Sequence, residues 1–442
     1  MITDLTKGTP GKVLWKFTLP MLLSVMFQQL YNVVDSIVAG QFAGVDALAA
    51  VGASYPVTMI FMAIANGSNI GCSVVISQLF GGKRMTHMKT AVSTSIISSL
   101  GLAAVLTVVG LVSSKPLLRA MSTPENIMGD SAVYLNVYIA GLAFLFLYNI
   151  CTAVFTALGD SKTPLYFLIF SSIANIVLDI VFVASFNMGV AGVAWATFIA
   201  QGTSGFLAFF ALIKRMKKIE SEKPKIFSGK MLVRISKIAI PSILQQSFVS
   251  VGNVFIQGLI NGFGSAVVAG FAASMKLNTF TITTLVTLGN SLSSYTAQNM
   301  GAHKTERVNS GFRSGIKIAL IVAIPFTVAF FFFPQYMMRI FVSADSTDVI
   351  ASGVQFLKIV SPFYLLITTK LVVDGILRGS GSMVSFMTST FSDLILRVIF
   401  AFILTPLLGQ LGIWWSWPIG WVMASIISVV FYFSGIWKKG KV

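Results

Sequence analysis

Charge is what this 442-residue chain has least of: 10% of its residues are charged and 55% hydrophobic, whereas about a quarter of an average soluble domain is charged. A soluble globular fold is excluded on that ground, and so is disorder. Two cysteines, Cys72 and Cys151, are too few for a disulfide scaffold, and both stand in apolar runs, where cysteine is an ordinary small core residue. Only two histidines are present, His87 and His303, both in polar segments between apolar runs. They are read as solvated, which leaves no constellation for a metalloenzyme or hydrolase and argues against an enzyme. Acids number 14 against 31 cations, a net charge of +17.

What the chain does have is a succession of long apolar runs. A bilayer span takes about 20 such residues. Runs bounded by Gly, Pro or charge clusters predict an all-α integral membrane protein of twelve transmembrane helices: 15–39, 52–80, 90–113, 131–157, 164–186 and 190–213, then 236–258, 267–299, 310–333, 350–376, 384–406 and 411–437. An even number of spans puts both termini on one side. Most of the cations fall on that side, in the two termini and alternate loops, while the opposite loops hold three: Lys115, Arg119 and Arg339. The positive-inside rule makes the crowded side cytoplasmic, so the termini are expected there and the protein in the cell membrane. The +17 therefore reports topology, with membrane lipid as the surrounding partner. No nucleic acid is expected, since no soluble face interleaves basic and aromatic residues. The run after Lys16 is too long for a signal-peptide core and is expected to stay as an anchor.

A polar stretch, 214–235, divides the chain into an N-terminal six-helix lobe, 1–213, and a C-terminal one, 236–442. The lobes share a repeat. Leu19-Pro20 answers Ile240-Pro241, Gln78 to Gly81 answers Gln298 to Gly301, Leu158-Gly159-Asp160 answers Arg378-Gly379-Ser380, and Gly189 to Gly192 answers Gly409 to Gly412. Six spans per copy is an even number, so the two are parallel repeats, an arrangement of secondary transporters with a site between lobes. A duplicated scaffold without transport is the alternative. Charges within spans argue against it, because each needs a partner or a task.

Eight ionisable residues fall inside spans: Asp35, Asp179, Lys276, Lys358, Lys370, Asp374, Asp393 and Arg397. Lys370 and Asp374 stand four apart, as do Asp393 and Arg397, so each pair can neutralise itself across one helical turn. Lys276 and Lys358 have no such neighbour and either face a C-lobe cavity, reach a distant acid or snorkel. Asp35 and Asp179 have no cation within a turn. Asp35 continues a stripe through Gln28 and Asn32, and Asp179 follows Asn175 by four residues.

Counting from the outer helix ends at about 1.5 Å per residue puts Asp35, Asp179 and Thr197 roughly 9 to 12 Å deep, with Asn175 one turn deeper. Two carboxylates, an amide and a hydroxyl at such depths offer hard oxygen ligands to sodium. Without a metal the same group can hold a proton, since two neighbouring acids do not readily both ionise. In the second lobe Asn253 stands where Asp35 stands, Asp393 where Asn175 stands and Arg397 where Asp179 stands. The coupling cation is accordingly expected on one lobe, with Asn253, Gln257, Lys276 and Lys358 as candidate C-lobe cavity residues.

These repeated motifs, with Asn175-Ile176-Val177-Leu178-Asp179 and the run Gly189 to Thr197, carry a resemblance over nearly the whole chain. The sequence resembles the multidrug and toxic compound extrusion (MATE) family, of the multidrug/oligosaccharidyl-lipid/polysaccharide exporter superfamily. The resemblance implies a V-shaped pair of six-helix lobes that exports amphipathic, often cationic small molecules in exchange for protons or sodium ions, with no cofactor besides the coupling ion. It implies a cation site at Asp35, Asn175, Asp179 and Thr197, a bending proline at Pro20, and polar cavity positions at Gln28, Tyr31 and Asn149. The fifth span ends Phe182-Val183-Ala184-Ser185-Phe186, where many relatives have a glycine-containing end.

A mechanism follows as an expectation. Filling the acid group removes the repulsion between Asp35 and Asp179 and lets the first helix bend near Pro20, unless Pro20 merely starts that helix. A monomer is expected to suffice. Three alternatives stand beside the exporter: a flippase for lipid-linked saccharides or other lipid precursors, an integral membrane enzyme, and a passive channel, the last lacking a selectivity-filter motif.

Overall fold

The computed structural model describes residues 3–38, 45–121, 123–343 and 345–439, without the side chains of residues 31–38, 45–48 and 250. Among the described residues every regular element is helical. The first half holds α1 (Pro10–Val38), α2 (Val45–Gly81), α3 (Met85–Ala120), α4 (Glu125–Ala140), α5 (Leu142–Ala157), α6 (Lys162–Asp179) and α7 (Gly189–Lys217). The second holds α8 (Gly229–Asn261), α9 (Ser265–Gly301), α10 (Thr305–Phe332), the short α11 (Pro334–Met338), α12 (Thr347–Val360), α13 (Tyr364–Ser380), α14 (Met383–Leu408) and α15 (Gln410–Phe433).

Twelve predicted spans map onto these elements. Ten helical segments among the described residues are long and apolar enough to cross a membrane; α4 and α5, bent by 46° at Gly141, together make an eleventh. The twelfth, α9, is too polar to pass a hydropathy test. Its hydroxyls are spent inside: Thr281, Thr284 and Thr287 donate to carbonyls four residues back, at 2.8 to 3.2 Å. Small residues of this kind let membrane helices approach closely. A Cβ on Gly375 of α13 would lie 2.3 Å from the Gly289 carbonyl oxygen of α9, so no side chain fits at that contact.

Three spans are interrupted where the sequence reading drew them continuous. Gly141 carries the α4–α5 bend. Pro362, inside the 3-10 turn Ser361–Phe363, separates α12 from α13, because proline has no N–H to offer the helix ladder. The segment Ile180–Ser185 after α6 is a π-helix. His87 opens α3 rather than lying in a loop, and Cys72 and Cys151 are free and buried.

The chain forms two compact units. Unit 1 is 1–4 with 19–243, and unit 2 is 5–18 with 244–442. Thus α1 contributes its first turns to unit 2 and the remainder to unit 1, changing over between Thr18 and Leu19; α8 does the reverse between Ile243 and Leu244. Both changeovers fall within three residues of a repeated proline, Pro20 or Pro241. Pro20 lies ten residues inside α1, which rules out its merely starting that helix.

Unit 1 is cored by apolar side chains from α2 to α5, among them Val57, Phe61, Leu118, Ile139 and Phe146. Its polar stretch after α7 lies on α3, where the Lys225 and Ser228 amides donate to the Thr90 and Thr94 hydroxyls at 3.1 Å. The core of unit 2 is aromatic: Trp414 stacks on Phe271 at 5.3 Å and meets Phe356 edge-on. The repeat shows in the backbone as well. Lys83 and His303, each just past a repeated helix end, both take positive φ, at 55° and 57°. Gly189 and Gly409, opening α7 and preceding α15, do so at 55° and 60°.

Candidate substrate cavity and cation site

In unit 1 a cavity of about 280 Å³ opens among α1, α2, α5, α6 and α7. On α6 the buried side chains are Leu165, Ser172, Asn175 and Asp179. The last three are spaced three and four apart, so this apolar helix turns its polar stripe inward. Ser172 and Asn175 line the cavity with Thr197 of α7. The Asn175 amide donates to the Thr197 hydroxyl at 3.4 Å. Asp179 follows one turn on, 1% exposed, at the point where α6 gives way to the π-turn. Such turns recur at functional sites, since the inserted residue shifts the helix face. The end Phe182 to Phe186, singled out in the sequence, is this turn.

The predicted residues fare differently. Gln28 and Asn149 both line the cavity. Asn149 is held there by its amide donating to the Leu145 carbonyl at 2.9 Å, while its own carbonyl accepts from Asn69 at 3.2 Å. Asp35, Tyr31 and Asn32 lie outside the described side chains. In unit 2, Asn253 is exposed and Gln257 donates to Asn261 at 2.8 Å. Lys276 is exposed, with its ammonium 5.5 Å from the Phe341 ring, and Lys358 is exposed too. The sequence reading passed over Asn66, Tyr148, Ser171, Gln201 and Ser204, all on the cavity wall. Thr197, Gln201 and Ser204 repeat the four-then-three spacing that drew attention to Gln28, Asn32 and Asp35, so that signal was there to be used.

The remaining in-span charges pair within unit 2. Lys370 meets Asp374 at 2.6 Å, and the other Asp374 oxygen accepts from Ser428 at 3.0 Å. Arg397 donates to both oxygens of Asp393, at 2.9 and 3.0 Å, and lies 4.1 Å from the centre of the Trp417 ring. Both i,i+4 pairs read from spacing are present.

Asp160 has a different task. It caps α6 by accepting from the Thr163 amide at 3.1 Å, and ties down the end of α7 through Arg215 at 3.0 Å. The motif Leu158-Gly159-Asp160 thus holds the foot of the two helices that carry Asn175 and Thr197.

A polytopic helical protein whose first unit opens a polar cavity within its spans, with no Lys or Arg on its wall among the described residues, is, by class, a membrane transporter. The chain belongs to the MatE family, the multidrug and toxic compound extrusion transporters, which are not enzymes: the family model matches twice, over residues 20–181 and 241–403, once in each half. It is 30% identical to the "Probable multidrug resistance protein YpnP" of Bacillus subtilis (strain 168), covering 99% of this chain and 98% of that one. Against "Probable multidrug resistance protein YoeA" of the same organism the identity is 28%, covering 96% and 94%. A solved structure described as the outward-facing conformation of a multidrug resistance MATE family transporter superposes with a TM-score of 0.92 at 24% identity, covering 99% of this chain and 98% of that one. The fold is thus the family's twelve-helix one.

Proposed function

We propose that the protein is a cation-coupled antiporter that exports amphipathic, cationic small molecules by alternating access. The observation that carries this reading is the inward stripe of α6: Asn175 bonded to Thr197 on the cavity wall, with buried Asp179 one turn beyond. Together with Asp35 these groups form an all-oxygen donor set for a proton or a sodium ion, which is cargo rather than a resident cofactor. The multidrug names of the relatives support the substrate class.

Among the described residues the cavity wall carries amides, hydroxyls and apolar side chains and no Lys or Arg. An anionic lipid-linked saccharide finds no counter-charge there, so a cationic cargo is favoured over the flippase reading. Cation entry into the acid group removes like-charge repulsion, and α1 bends at Pro20, where the ladder lacks one donor. Inward movement of one charge releases about 2.3 kcal/mol per 100 mV, plus any concentration gradient. The working unit is a monomer, 1–213 and 236–442 are the two repeats, and both termini are cytoplasmic.

The test is ethidium efflux from proteoliposomes under a proton or a sodium gradient imposed separately. One gradient drives wild-type efflux and drives none in Asp179→Asn. Wild-type rates in that variant under the driving gradient, or preferential movement of a lipid-linked anion, sink the reading.

A further inference from the structure

A second cavity, of about 320 Å³, lies in unit 1 between the last turns of α3 and the first turns of α4. At about 1.5 Å per residue the 36-residue α3 is some 54 Å long against a hydrocarbon core near 30 Å, so its ends reach the headgroup layers. Lys115 and Arg119, four apart on one helix face, form one wall. They are two of the few cations on the sparsely charged side of the chain. Among the described residues neither takes part in an ion pair, and the acids of α4, Glu125 and Asp130, are not in the wall.

The other wall, from α4, supplies Met128, Val133 and Asn136. Among the described residues the Asn136 side-chain oxygen finds no hydrogen-bond partner, so it calls for a donor from outside the protein. Beside it Gly129 has open space where a Cβ would point. The apolar floor runs on to Val112 and Val108, 77% and 64% exposed on the adjoining turns of α3.

We propose that this cleft holds the phosphoglycerol headgroup of an anionic membrane lipid. Phosphate meets Lys115 and Arg119, a glycerol hydroxyl donates to Asn136, and the acyl chains descend along Val112 and Val108. A soluble phosphate ester matches the cations but leaves the apolar continuation unused.

The test is lipid retention by the full-length protein, read by native mass spectrometry and by thermal stability in phosphatidylcholine nanodiscs doped with phosphatidylglycerol or phosphatidic acid. Wild type retains phosphatidylglycerol over phosphatidylcholine. Lys115→Gln with Arg119→Gln lowers that preference about thirtyfold, the effect of two cations beside an anionic surface. Asn136→Leu leaves the preference over phosphatidylcholine and erases the preference over phosphatidic acid, whose headgroup has no glycerol hydroxyl to reach that side chain. Ethidium efflux unchanged in the cation variant certifies its folding. Equal phosphatidylglycerol retention by the cation variant and wild type overturns the proposal. So does glycerol 3-phosphate stabilising the lipid-free protein as well as phosphatidylglycerol does, which assigns the cleft to a soluble anion.

Discussion

Corresponding helices of the two units treat polar groups in opposite ways. In unit 1, α6 turns Ser172 and Asn175 toward a cavity and ends in a π-turn directly after Asp179. In unit 2, α14 runs as a helix from Met383 to Leu408 and buries Asp393 and Arg397, a pair one turn apart. Arg397 supplies both hydrogen bonds that Asp393 needs and covers Trp417. The buried acid of α14 is thus matched by a cation on its own helix. Duplication preserved the fold, down to the paired positive φ at Lys83 and His303, while the chemistry of the two copies separated.

The hardest way to break that contrast is to remove one buried charge from each unit. Asp179→Asn should bring gradient-driven ethidium efflux down to the rate of protein-free liposomes with the protein still inserted. In unit 2 the damage should be structural instead. Lys370→Ala leaves Asp374 a buried charge without its ammonium, which costs about 3–5 kcal/mol, read as a lower unfolding midpoint in detergent. Lys370→Met with Asp374→Leu should recover most of that loss, since the Ser428 hydroxyl keeps the Ser389 hydroxyl as its partner. If this double variant is stable yet has lost gradient coupling, the expectation that the coupling cation is held by one lobe alone fails.

Asn175→Ala and Thr197→Ala sharpen the comparison at smaller scale. Each removes one neutral group of the proposed donor set and the 3.4 Å bond between the two side chains. A hydrogen bond of this kind is worth about 0.5–1.5 kcal/mol, so the coupling-ion concentration for half-maximal efflux should rise by up to about tenfold with maximal rate retained. An unchanged half-maximal concentration in both variants would take the pair out of the cation site.

Much of this was legible from spacing. Four-residue separations read Lys370–Asp374 and Asp393–Arg397 as pairs because a helix brings i and i+4 together wherever it lies. Depth counting grouped Asn175 with Thr197 because rise per residue is nearly constant. Asn66 and Tyr148 were not legible, since Asn66 shares its helix with Ser68, Asn69 and Ser73 and Tyr148 stands beside Asn149, and spacing alone does not say which of these polar residues meets the cavity. The π-turn after Asp179 was not legible either: it is set by one extra residue in the hydrogen-bond ladder, and no side-chain type marks it. Nor did composition show that α9, less apolar than the other spans, is buried in unit 2 with the hydroxyls of Thr281, Thr284 and Thr287 bonded to its own backbone.

The smallest expected effect asks where the two units still agree. After α2 the Lys83 and Arg84 amides return to the carbonyls of Phe80 and Leu79 at 3.0 and 2.9 Å; after α9 the His303 and Lys304 amides return to Met300 and Asn299 at 3.0 and 2.8 Å. The left-handed residue that closes each turn is not glycine, and an L side chain there costs about 1 kcal/mol. Lys83→Gly and His303→Gly should therefore each stabilise the protein by somewhat less than that, because glycine also loosens the unfolded chain. The two gains should match, and they should add, since the sites share no partner. Thermal unfolding of both single variants and the double variant measures this. A gain at one position and a loss at the other would mean that these repeated helix ends have diverged too.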